Sequence, residues 1–185
     1  MQINEIEATP QAEGWVRAAL GKASKVDHGS FALVLDADQE GYVVKLTRSN
    51  ADYQALVHLA GTSTHFPIVI KHAVDQVQGP EGLYHAVLME KLANVFPLEA
   101  AAIANHINAQ KIGKNDPMGL RETAEDMQNG KLTGYPSSLA QAILALGDYA
   151  RSKLLLVELN QRANWGRRKD GTLVMFDLVH TSQEM

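Results

Sequence analysis

The stretch "NWGRRKDGTLVMFDLVH", residues 164–180, decides how this chain is read. It starts on an amide side chain, passes through a polar segment carrying Asp170-Gly171, and enters an apolar, β-prone run that ends on Asp177. An Asp-Gly step between such flanks is a hairpin signal, because glycine reaches the positive φ that tight turns demand. The spacing predicts a terminal hairpin with Asn164 at one end and a carboxylate at the other. The basic residues beside it, Arg162, Arg167, Arg168 and Lys169, read as its solvated tip.

Working outward, bulk properties narrow the classes. The chain has 185 residues, 45% apolar and 21% charged, with a formal net charge of −4. That is long enough for one domain or two small lobes with a real core. A slightly acidic balance gives no global attraction to nucleic acid or to an anionic membrane surface. With no cysteine, disulfides, thiolate catalysis and Cys-based zinc sites are excluded. The early acidic residues of MQINEIEATPQAEG do not suit a signal peptide, and no apolar run approaches the roughly 20 residues of a membrane span. A cytoplasmic protein is the expectation.

Residues 11–21 suit a short helix ended by Gly21. Ser30–Leu35 and Tyr42–Leu46 suit a hairpin joined by residues 36–41. Asp52–Leu59 suits a helix stopped by Gly61, with Tyr53, Leu56, Val57 and Ala60 on one face. Phe66–Ile70 and Leu83–Met89 suit two further strands, with Gly79-Pro-Glu-Gly82 as a turn between them. Beyond Leu92 the chain turns helical: Pro97–Gln110, a helix near Leu120–Met127, and a third capped by Ser137 or Ser138 with Leu139, Ile143, Leu146 and Ala150 buried.

Four features then fall in order. They are the turn and strand Val26-Asp-His-Gly-Ser-Phe-Ala-Leu-Val34, Lys45 on the next strand, Asn164, and Asp177. Each alone has a plain structural explanation. Together they resemble the nucleotide site of protein kinases. In particular, Asn164-Trp-Gly166, Asp170-Gly171 and Leu173-Val-Met-Phe-Asp177 look like the catalytic segment of the short kinase-like proteins of tailed phages and related bacterial proteins. The resemblance covers about residues 20–95 and 137–180.

The resemblance implies an α+β, protein-kinase-like fold. A small antiparallel-sheet N-lobe would occupy residues 1–95, and a truncated, mainly helical C-lobe ending in the hairpin would occupy 96–185, folded as one unit. It implies ATP and Mg2+ as cofactors. Gly29 and Phe31 would lie in the loop over the phosphates, and Lys45 would neutralise the α and β phosphates. Glu90 and Leu92, in the hinge Met89-Glu-Lys-Leu92, would meet adenine. Asn164 and Asp177 would hold the metal, since hard cations take oxygen ligands.

The sequence also departs from the family pattern. Asp27 and Ala32 stand where two of the loop glycines would be, and no Glu occurs between Glu40 and Glu81 to pair with Lys45. Either Asp52 or Gln54 takes that part, or Lys45 has no such partner. Five residues before Asn164, where the catalytic Asp would stand, is Leu159; Glu158, one place away, is the candidate base. Two functions stay open. One is a pseudokinase-type scaffold that binds and inhibits a host or partner protein. The other is a minimal ATP- and Mg2+-dependent Ser/Thr protein kinase. Neither needs nucleic acid or a membrane. His58, His65 and His72 recur every seven residues, but Gly61 and Pro67 interrupt any shared helix face, so they read as surface histidines. Ser30 has no recognisable His and acid partners, so no triad is expected there.

Overall fold

A computed structural model describes residues 5–22, 27–28, 32–95, 97–109 and 116–181, the side chains at 27, 28, 94 and 95 excepted. The chain is α+β and divides into two compact units. The first takes residues up to Val57 together with Ile68–Lys91; the second takes His58–Pro67 and everything from Leu92 onward. The sequence places the break at residue 95, whereas the contacts break after Lys91 and send the 58–67 segment to the second unit.

The first unit is built on a six-stranded antiparallel sheet. In chain order its elements are β1 (Glu7–Ala8), α1 (Gly14–Lys22), β2 (Asp27–His28), β3 (Ala32–Asp36), β4 (Tyr42–Thr47), α2 (Asn50–Leu59), β5 (Val69–Gly79) and β6 (Gly82–Glu90). The strands lie in the order β1-β5-β6-β4-β3-β2. β4 is central, so both its faces are covered, and the two-residue period sends alternate side chains to opposite sides. Val44 and Leu46 join Leu33, Leu35, Ala86, Leu88 and Tyr84 in the core that Val16 and Ala19 of α1 close. Lys45 therefore points to the other face, flanked across the ladder by Val34 and Val87.

The hairpin across residues 36–41 and the turn at Gly79–Gly82 form as the sequence indicates, and Gly61, at φ +74°, ends the turn after α2. The strand expected at Phe66–Ile70 instead runs from Val69 to Gly79. Its register slips between Ala73 and Val77, where Asp75 adopts φ +51°. Such a bulge leaves no simple alternation to read in the sequence.

The second unit holds β7 (Asn94–Val95), α3 (Leu98–Ala109), α4 (Pro117–Gln128), α5 (Ser137–Ser152), β8 (Leu156–Val157), β9 (Trp165–Arg167), β10 (Leu173–Met175) and β11 (Val179–His180). α4 starts where Asp116 accepts the Met118 N–H and Pro117 follows at the first helical position. α4 and α5 pack closely because Gly147 has no side chain; a Cβ there would lie 3.3 Å from the Pro117 carbonyl oxygen. Leu139, Ile143, Leu146 and Ala150 of α5 are fully buried. Its cap is Pro136, with no side-chain cap hydrogen bond, so neither Ser137 nor Ser138 plays the expected part. β9 and β10 make the terminal hairpin and β7 pairs with β9 on the far side.

Candidate functional site

Lys45 is the buried charge of the first unit. Its Nζ lies 2.7 Å from the Asp52 carboxylate, and both side chains are only 4% exposed. The local sequence explains how Asp52 reaches it. Ser49 caps α2, its Oγ accepting the Asp52 N–H at 3.1 Å and its carbonyl accepting the Tyr53 N–H. In a capping box, the residue at Asp52's position would turn back to the cap's own N–H. Here Thr47 Oγ accepts that N–H at 3.2 Å instead, so the Asp52 carboxylate is turned to Lys45. An acid three residues into a helix thus meets a strand lysine, as the missing Glu required. Lys45 is thus buried on a central strand.

At the start of the hinge, the Glu90 N–H donates to the Ile68 carbonyl and its carboxylate accepts the Ile68 N–H, while the Lys91 N–H donates to the Gly41 carbonyl at 2.8 Å. These amides close the end of the sheet. Leu92 packs on the hairpin of the second unit; a Cβ on Gly166 would sit 3.1 Å from its Cβ and Cγ. Gly29 and Phe31 lie outside the described residues.

In the second unit, a 3-10 turn at Arg162–Asn164 delivers Asn164 to the start of β9. Asn164 is 6% exposed, and its Nδ2 donates to the Glu158 carbonyl at 2.7 Å. A carbonyl can only accept, so the amide's orientation follows from chemistry: Oδ1 is the oxygen a hard cation would take. The Phe176 N–H donates to the Asn164 carbonyl at 3.1 Å, which sets Asp177 one residue beyond that bond. β10 ends at Met175, two residues short of the Asp177 end expected, and the Asp177 side chain is partly exposed.

The preceding loop is held by bonds from the same hairpin. Leu159 is wholly buried, its carbonyl accepting the Trp165 indole N–H at 3.1 Å. Glu158, next to it, has a carboxylate 27% exposed and paired with His180 Nδ1 at 3.1 Å. Two side chains from the hairpin thus grip the backbone of residues 158 and 159, and Glu158 is the one that presents a carboxylate. His180 was missed from the sequence; only its alternate position on the last short strand hinted at inward placement.

His65 was also misjudged. His58 and His72 are exposed, stacking on Tyr149 and bonding to the Tyr53 hydroxyl respectively, but His65 is 3% exposed and held on both ring nitrogens. Among the described residues no group of three or more His, Cys, Asp or Glu is placed to hold a metal, so Asn164 and Asp177 would need outside oxygens to complete a Mg2+ shell. No helix among the described residues is long and apolar enough to cross a membrane. No protein-family model matches the chain, and no curated protein matches it.

Proposed function

We propose that the chain is a kinase-like protein of the pseudokinase type, which binds ATP with Mg2+ and modulates a partner protein by inhibiting it. Lys45 neutralises the α and β phosphates. Asn164 Oδ1 and Asp177 would hold the metal, since hard cations take oxygen ligands. Bound Mg2+ supplies charge neutralisation along the phosphates.

The observation that carries the nucleotide half is the buried Lys45–Asp52 pair. Desolvating two charges costs several kcal/mol each, and a pair of apolar residues fills such a place at least as well. A buried lysine oriented by the Asp52 carboxylate supports a cation available to an anionic ligand. The pseudokinase half rests on Leu159, an apolar, fully buried residue at the place of the general base.

A second reading, a minimal Ser/Thr protein kinase, is favoured by the bond from Asn164 Nδ2 to the Glu158 carbonyl, which fixes Glu158 beside the metal-binding amide. The two separate in one experiment, incubation with γ-phosphate-labelled ATP, Mg2+ and candidate bacterial proteins. The scaffold predicts saturable ATP binding with no transferred label, together with capture of a partner on the immobilised chain. Transferred label that disappears in Glu158→Gln establishes the kinase instead. Absence of any ATP binding refutes the kinase and the nucleotide half of the proposal, and leaves only a scaffold without nucleotide.

A further inference from the structure

The most complete piece of catalytic geometry outside that site is a serine–histidine pair in the second unit. Ser138 is exposed on the first turn of α5, and its Oγ lies 3.0 Å from His65 Nε2. His65 Nδ1 lies 2.8 Å from the Leu173 carbonyl oxygen. That carbonyl can only accept, so Nδ1 carries the proton and Nε2 presents its lone pair to the Ser138 hydroxyl. This is the order of a nucleophile, a base and a group that orients the base. A backbone carbonyl stands in the orienting place that a carboxylate usually fills.

The base is held on every side. The His65 N–H is 3.2 Å from Ser63 Oγ, and the His65 carbonyl accepts the Met175 N–H at 2.9 Å. The ring is 3% exposed while the serine it faces is open to solvent, so a substrate meets the nucleophile first.

We propose that Ser138 is a His65-activated nucleophile that accepts acyl groups from small activated carboxylic esters. The proposal is independent of the nucleotide reading. Ser138 Oγ bonds to the acyl carbon as its proton passes to His65 Nε2. The carbon–oxygen bond to the leaving alcohol then breaks, and Nε2 returns the proton to that alcohol. Water attacks the acyl-enzyme in turn, giving its proton to Nε2, and the carboxylic acid leaves as Ser138 recovers its hydrogen.

The test uses the full chain with p-nitrophenyl acetate and, separately, with a fluorophosphonate label located by peptide mass. The expected result is one label per chain on Ser138, and ester hydrolysis that falls on the order of a hundredfold or more in both Ser138→Ala and His65→Gln. Ser152→Ala, which removes a hydroxyl at the far end of α5 bonded only to the Tyr149 carbonyl, should hydrolyse and label as the parent does. Because Ser138 is exposed, its alanine variant should keep the parent circular dichroism, so its loss of activity is not a loss of fold. Label on another residue, hydrolysis unchanged in Ser138→Ala, or a folded parent chain that takes no label would each overturn the proposal.

Discussion

Removing one partner of the Lys45–Asp52 pair should be among the most costly single changes to the first unit. At 2.7 Å and an effective dielectric near 20, the attraction is worth about 6 kcal/mol. Desolvation of both charges offsets much of this, so the pair as a whole adds little. The imbalance appears when one charge is left alone. Asp52→Asn strands a buried ammonium on a strand flanked by Val34 and Val87, and should cost roughly 3–5 kcal/mol. Lys45→Met strands the carboxylate and should cost a similar amount. The double variant removes both charges and should cost less than either single, leaving a coupling energy of about 3 kcal/mol or more in the cycle. Asparagine keeps the Asp52 N–H that Ser49 Oγ accepts, so the helix cap is not part of the change. Equilibrium urea unfolding of the four proteins measures the cycle. Singles costing under about 1 kcal/mol, or costs that simply add, would refute the claim that these two charges are buried against each other.

Gly166→Ala should lose about 1–3 kcal/mol through overpacking against Leu92, and a Leu92→Ala background should recover most of it, as thermal unfolding will register. Asn164→Asp replaces the donor to the Glu158 carbonyl with a second acceptor; it should cost about 1–3 kcal/mol, with Asn164→Ala nearer the lower end, in the same assay. Burial pushes His85 below its ordinary pKa of 6.5, against a smaller opposing pull from Asp75. Its Nδ1 accepts the Asp75 N–H at 3.2 Å, which the protonated ring cannot do. A depressed folded pKa means the unfolded chain binds the proton more readily. This contribution to stability is therefore complete above about pH 6.5 and is lost as pH falls from there through the folded pKa. Unfolding free energies measured from pH 7.5 to 5 should fall less steeply in His85→Gln than in the parent.

Much of the architecture was legible because it rests on local rules. The strand pair around residues 36–41 and the helix ended by Gly61 follow from turn glycines and apolar spacing. The helical stripe Leu139, Ile143, Leu146 and Ala150 follows from its period. The part of the site that was legible, Lys45 with an acid in the next helix, came from counting which carboxylates the segment contains. What could not be read depends on contacts distant in sequence. Leu159 and Glu158 differ by one place, and it takes the Asn164 and Trp165 side chains, which hold their carbonyls, to show that Leu159 is buried and the Glu158 carboxylate partly exposed. His65 looks like one member of a surface series until Leu173, 108 residues away, accepts its Nδ1 proton. Ser138 reads as a helix cap because serines usually do that; Pro136 takes the position and leaves the hydroxyl to His65.

The central claim is that Lys45, Asn164 and Asp177 belong to one ATP- and Mg2+-binding function, and calorimetric titration with ATP tests it most directly. The account predicts saturable binding with Mg2+ present, marked weakening in excess EDTA, and loss of binding in both Lys45→Met and Asp177→Asn chains that remain folded. At ATP a hundredfold above its Kd, the parent alone should gain about 2.7 kcal/mol of stability. Heats indistinguishable from buffer in the parent, or binding that survives both substitutions, would contradict it.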